Sequence, residues 1–368
     1  MFTLTGARSQ GASHGGEVTG FQGVISEVDS LRIWLNDMVK KQAVPSKSRM
    51  TLRVTSPDGK SYYAGYDGRT GQEVTDFSQI VEIGSCSKVF TSTAIHQLIE
   101  RGQFGLEDPL VDILEEPALL EGLMATDSAD YLQEVRLKHL LNHTSGMPEY
   151  FLDSDEMELA VFGDSTLRFT PRQLVRMANR VHDPQFRPGE RFKYTNTNYI
   201  LLGLILEKHT GLPYQEVIRQ KILNPAGLTE TYFASLDSPE KRAPGFWKGE
   251  PTQMPPTLAG AAGEMLSTLD DMDRFLRYWY GGSFFSDPGY MEGVRNEAYH
   301  SMGMPGVDYG LGLLRLMDSY GHGGQTFSFQ SYMGILPNGW SFVFAIDDAA
   351  VPAWGPAMAL SSKLKTLD

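Results

Sequence analysis

The chain has 368 residues, 41% of them apolar and 21% charged, with a net charge of −13. That length and balance suit a soluble globular protein with one large core or two lobes, and exclude a disordered chain. The negative excess argues against nucleic acid or an anionic membrane as partner, and the single cysteine, Cys86, leaves no internal disulfide.

Residues 1–23 are rich in Gly, Ser and Thr and lack the continuous apolar stretch of a secretory signal, so they read as a flexible N-terminal segment. The longest strongly apolar run, 199–206, is too short to span a bilayer, and a cytoplasmic protein is expected. Gly11-Ala12-Ser13-His14-Gly15 matches Gly-x-Ser-x-Gly, which has catalytic meaning only between a strand and a helix. No strand signal precedes it, so the match reads as accidental.

Apolar residues recur at helical spacing over 24–41 (Val24, Val28, Leu31, Leu35, Met38). Residues 50–55 and 60–66 read as two strands joined at the turn Ser56-Pro57-Asp58-Gly59. A small turn at Gly84-Ser85 then opens a helix that ends near Arg101-Gly102. From 103 to 256 helical segments alternate with Pro and Gly, most clearly at 199–208 and 214–223. Residues 270–279 form an amphipathic helical pattern. Strand signals return at 309–317, 331–336 and 340–347, the last two joined at Pro337-Asn338-Gly339, and 353–367 closes as a helix. The expected class is α+β: an antiparallel sheet flanked by helices and built from both chain ends (24–102 and 257–368). A mostly helical lobe, 103–256, is inserted, with the active site between the lobes.

The chemistry centres on Ser85-Cys86-Ser87-Lys88 at the start of that helix. Residues three apart on a helix share a face, so the hydroxyl and the amine can meet. A desolvated lysine can take the serine proton, and the helix N-terminus offers N–H groups to a developing oxyanion. Alone, Ser-x-x-Lys also fits a serine cap followed by a solvated lysine. Cys86 reads as a small buried filler. His139 and His143, spaced i, i+4, could share a metal, but no third ligand is apparent and structural roles are favoured. His96 and His209 sit in helical patterns and read as packing or surface residues.

Three further stretches tip the balance: Leu140-Leu141-Asn142-His143-Thr144-Ser145-Gly146-Met147-Pro148, Tyr194-Thr195-Asn196, and Gly321-His322-Gly323-Gly324-Gln325 before a strand. With Ser85-x-x-Lys88, in this order, they resemble the serine β-lactamase and penicillin-binding-protein superfamily. The likeness is to its class C branch with esterases, D-amino-acid amidases and D-peptidases, and it runs from about residue 24 to the C-terminus.

The resemblance implies Ser85 as the acylated nucleophile and Lys88 as its proton partner. Tyr194 becomes a proton relay with a phenol pKa lowered by Lys88. Asn196 orients Lys88 and the substrate amide, and His143 shapes a loop bordering the site. His322, Gly323 and Gly324 take the Lys-Thr-Gly position, and the backbone N–H groups of Ser85 and Gln325 form an oxyanion hole. It calls for no metal and no cofactor. The expected activity is hydrolysis of a small ester or a D-amino-acid-type amide through an acyl-enzyme. An acyltransferase, a β-lactamase or D-alanyl-D-alanine carboxypeptidase, and a catalytically silent scaffold are the alternatives. With neutral His322 in place of lysine, and with Asp347 expected to face and repel a substrate carboxylate, β-lactams should be poor substrates.

Overall fold

In the computed structural model, which describes residues 27–126, 129–152, 155–237, 239–297 and 299–367, nine strands form the main sheet. In spatial order they are Gln72–Glu73, Ser61–Asp67, Arg49–Thr55, Ser341–Ile346, Gln330–Ile335, Ser319–Gln325, Leu314–Leu316, Val307–Tyr309 and His300–Met304. All the pairings are antiparallel. The join between the chain ends is in the middle, where Met50 lies opposite Ile346 and Thr55 opposite Ser341.

Ser341–Ile346 is buried along its whole length, which explains its continuous apolar run. Phe342, Phe344 and Ile346 turn to one side, where they pack with Met50, Leu52 and Val54. Helices Glu27–Ser46 (through Leu31, Leu35 and Val39) and Trp354–Leu364 (through Ala357 and Leu360) close that layer. Val343 and Ala345 turn to the other side, into the larger core shared with helices Ser87–Glu100 and Leu269–Tyr280. There Phe90 stacks on Phe275 with ring centroids 3.6 Å apart, tying the helix that follows Ser85 to its neighbour. Truncating such a buried ring costs about 3–5 kcal/mol.

Some expectations change on this frame. The strand read over 309–317 is two strands, Val307–Tyr309 and Leu314–Leu316, paired antiparallel. Gly310 and Gly312 turn the chain between them, and Gly310 N donates to Leu313 O (2.8 Å). The stretch 321–325 lies within a strand, Ser319–Gln325, rather than before one. The helix read over 214–223 is α-helical only to Ile218; Arg219–Leu223 widens into a π-helical turn. Within 103–256, short strands Tyr232–Phe233, Phe246–Trp247 and Glu250–Pro251 follow the helices. The Gly11–Gly15 match and the 1–23 segment lie outside the described residues. No helix among the described residues is long and apolar enough to cross a membrane.

Candidate active site

Ser85 sits in a tight turn, Gly84–Cys86, that runs directly into helix Ser87–Glu100. Gly84 has φ +48°, and a Cβ there would come within 2.6–2.9 Å of the Gln325 backbone. Facing it, a Cβ on Gly324 would lie 2.0 Å from Ile83 O. The turn and strand Ser319–Gln325 therefore meet backbone to backbone, and only glycine fits at either point. The consequence is positional: Gln325 is brought against the nucleophile turn.

Lys88 is fully buried. Its Nζ donates to Ser85 Oγ (2.9 Å), Asn196 Oδ1 (2.7 Å) and the Ala262 carbonyl (2.8 Å), which uses all three ammonium hydrogens. The Tyr194 and Tyr199 rings lie 4.9 and 5.3 Å from the same nitrogen. Burial pulls its pKa down to about 7, against the opposing pull of Glu149. A sizeable fraction of neutral amine is therefore present near pH 7, and it can accept the Ser85 proton.

Asn196 is held in turn by Glu149, whose Oε2 accepts from Asn196 N (2.5 Å) and Asn196 Nδ2 (3.1 Å). These bonds fix the amide so that its oxygen faces Lys88. Glu149 Oε1 also accepts from Tyr150 N (2.8 Å) and Phe151 N (3.2 Å). The carboxylate stands at the start of helix Thr197–Thr210, where negative charge is favoured. Burial raises its pKa, while its N–H donors and Lys88 oppose the rise. The sequence reading missed Glu149, although it directly follows the Met147-Pro148 end of the His143 stretch.

Tyr194 departs from expectation. Its hydroxyl is buried beside Ser85, and that contact lowers its pKa, but burial outweighs it and drives the pKa well above 10. The contact falls short of a well-aligned hydrogen bond. The phenol is protonated in the resting protein, so the expected lowering is corrected: one lysine, itself half-discharged by burial, does not offset the loss of water. The Tyr194 ring lies against His143, tilted by 33° with 4.2 Å between centroids, and His143 Nδ1 accepts from Thr195 N and Asn198 Nδ2 (both 3.3 Å).

His322 stands behind Tyr194, ring centroids 6.3 Å apart. Its Nδ1 lies 2.5 Å from the Gly323 carbonyl and so carries the hydrogen, leaving Nε2 to accept from Tyr309 OH (3.0 Å). Burial, with Lys88 nearby, pushes its pKa down to about 3, so it is neutral. Gly323, Gly324 and Gln325 continue along the strand and line a cavity with Ser85 and Tyr194.

Asp347 does not face the site. It accepts from Arg49 N (2.7 Å) and pairs with Arg69, lining a separate cavity near Phe77 and Phe246. The expected repulsion of a substrate carboxylate is corrected: the side chain is directed to the far side of the strand's end and its charge is matched by Arg69. Cys86 is buried, with Sγ 3.2 Å from the His322 carbonyl and its thiol pKa pushed up to about 12. His139 Nδ1 accepts from Arg136 N (3.0 Å), His96 bonds Leu311 O and Tyr290, and His209 bonds Ile113 O. Among the described residues no three His, Cys, Asp or Glu side chains converge as metal ligands.

The family model described as Beta-lactamase matches residues 20–347. Penicillin-binding protein 4* of Bacillus subtilis is 33% identical over 171 residues, covering 45% of this chain and 33% of that protein. A beta-lactamase of Yersinia enterocolitica is 26% identical over 249 residues, covering 66% and 57%. The chain thus spans less than two thirds of each of these relatives. Among solved structures, a D-stereospecific amidohydrolase from Streptomyces sp. superposes with a TM-score of 0.75 at 25% identity, covering 90% of this chain and 99% of that one. The D-amino acid amidase of Ochrobactrum anthropi SV3 does so with the same score and identity, covering 92% and 100%. With the family's pattern followed over residues 20–347 and a buried lysine on its serine, the chain belongs to the beta-lactamase family.

Proposed function

We propose that this protein is a serine hydrolase that forms an acyl-enzyme on Ser85 and cleaves an ester or amide of an amino-acid-like acyl group with an apolar side chain. The observation that carries the reading is the fully buried Lys88 Nζ at 2.9 Å from Ser85 Oγ, with a pKa of about 7. A solvated lysine behind a serine cap would keep its proton at neutral pH; this one is poised to exchange it.

Neutral Lys88 takes the Ser85 proton as Oγ bonds to the carbonyl carbon, and the carbonyl π pair moves to oxygen. The N–H groups of Ser85 and Gln325 are the proposed donors to that oxyanion, each worth about 3 kcal/mol in such a role. On collapse the C–N or C–O bond breaks with its pair on the leaving atom. That atom takes the Tyr194 proton, and Lys88 ammonium returns one to Tyr194. Water then attacks the acyl carbon by the same relay, giving the acid and restoring Ser85.

A cavity of about 270 Å³ beside Ser85 supports the acyl assignment. Phe151, Leu152, Leu159, Trp247, Met254 and Phe327 line it, and Glu158 is the one acidic or basic side chain among its described lining residues. That suits an apolar side chain and disfavours an anionic acyl group. The structural relative named a D-amino acid amidase supports the same substrate class.

The test is intact-mass analysis after incubation with esters and amides of D- and L-phenylalanine, with and without an added amine. One acyl unit on the Ser85 peptide, absent in Ser85→Ala, is the expected result. Labelling elsewhere, or turnover that survives Ser85→Ala, overturns the reading. A dominant amide product in the presence of amine would assign the protein as an acyltransferase instead.

A further inference from the structure

Ser85 opens on two cavities, not one. Besides the acyl cavity, a second of about 230 Å³ shares Ser85, Tyr194 and Gln325 with the first but extends the other way along strand Ser319–Gln325. Its apolar wall is formed by Met302, Leu314, Tyr332, Ala353 and Trp354; the uncharged side chains of His322, Gln330 and Ser331 also line it, the last two donating to the Ala349 and Ile83 carbonyls. Resting on the acyl assignment above, we propose that this second cavity receives the leaving group, and that it selects an uncharged, apolar one of about one aromatic ring.

Three observations carry this. First, the scissile bond has two sides. With the acyl side chain in the cavity that contains Asn196, the departing half extends past Tyr194 into the other, and Tyr194 lines both. The proton donor therefore stands at the boundary where the leaving atom separates. Second, none of the described residues that line the second cavity is Lys, Arg, Asp or Glu. His322 has both ring nitrogens engaged, by Tyr309 and by the Gly323 carbonyl, and offers no positive charge. A carboxylate placed there would lose water and gain no counter-ion. Third, the size suits a ring: an apolar cavity of about 150 Å³ already accommodates benzene. Ammonia, released from a simple amide, would leave the space unused.

The consequence is a substrate with two substantial apolar halves, such as an arylalkyl amide or aryl ester of an apolar amino acid, in place of a peptide ending in a free carboxylate. Apolar area buried only by the leaving half adds to transition-state binding without changing the acyl-enzyme.

The experiment holds the acyl group constant as D-phenylalanyl and compares the primary amide, the benzylamide and the 4-carboxybenzylamide. The parent protein should show kcat/KM for the benzylamide at least tenfold above each of the other two. Met302→Trp, on the edge strand that lines the second cavity, should lower the benzylamide-to-amide ratio at least tenfold. Leu159→Trp, in the first cavity, should change the preference among acyl groups and leave that ratio within twofold. Ser85 acylation by all three amides with equal kcat/KM overturns the inference alone, as does a Met302→Trp effect on acyl preference instead of on the ratio. Absence of any Ser85 adduct overturns the proposed function, and this inference with it.

Discussion

Replacing Glu149 by Gln removes a buried negative charge at nearly constant shape, and it should lower the pH at which the protein becomes active. Hydrogen bonds of 2.7 and 3.1 Å link Lys88 Nζ through Asn196 to Glu149 Oε2. With the width of an amide between them, the two charges stand about 7 Å apart, and at an effective dielectric of about 20 their attraction is roughly 2.4 kcal/mol. Activity requires neutral Lys88, so kcat/KM rises with pH through about 7 in the parent. Without the carboxylate the ammonium is less favoured, and the acid limb should move down by about 1.8 pH units. The tyrosine, cysteine and histidine side chains around Lys88 do not titrate in this window. Tyr194 and Tyr199 are pushed up, Cys86 lies at about 12, His143 is pushed well down, and His322 lies at about 3. The assay is a pH profile of kcat/KM from pH 4.5 to 9 on any ester that acylates Ser85. An acid limb that stays in place while activity falls uniformly would refute the reasoning, because Glu149 would then act by shape alone.

Lys88→Ala and Tyr194→Phe should each reduce kcat far more than they raise KM, and the double variant should be little worse than the poorer single one, because both serve one relay. Losses that multiply in steady-state kinetics would separate their roles. Gly84→Ala should destabilise the protein by about 1–3 kcal/mol in urea unfolding, from a positive φ and a clash with the Gln325 backbone. An unchanged midpoint would contradict the packing described. Asp347→Asn should cost no more than about 1 kcal/mol, because exposed Arg69 keeps Asp67 as a counter-charge. The same variant should leave the preference between neutral and carboxylate-bearing substrates within twofold; a larger change would return Asp347 to the site.

Sequence spacing was enough to bring Ser85 and Lys88 onto one face, and short ordered motifs led to Tyr194 and Asn196, which lie against Lys88, and to the strand from His322 to Gln325, which shares a cavity with Ser85. The strands read over 50–55, 331–336 and 340–347 fall within one residue of those observed, Arg49–Thr55, Gln330–Ile335 and Ser341–Ile346, because alternation or a continuous apolar run extends through each. What stayed hidden depends on three-dimensional surroundings. Asp347 was misplaced because the side on which a residue emerges at a strand's end depends on register, which a one-residue slip reverses. The Tyr194 pKa was misjudged because a neighbouring charge can be inferred from a motif, whereas loss of water cannot. Glu149 escaped because a carboxylate next to Pro reads as a loop residue until Asn196 is seen to donate to it twice.

The pairing of Arg49–Thr55 with Ser341–Ile346 also governs the order in which the molecule can be made. The hairpin of Arg49–Thr55 with Ser61–Asp67 leaves the ribosome well before Ser341–Ile346, with Met50, Leu52 and Val54 on a strand whose second edge has no partner yet. About 290 residues must be synthesised before that partner appears, roughly 15–60 s at ordinary elongation rates. Contacts this distant in sequence also slow closure once the chain is complete. Through that interval the open edge of Arg49–Thr55 is the place where one nascent chain can pair with another, so the yield of folded protein depends on how that edge is shielded during synthesis.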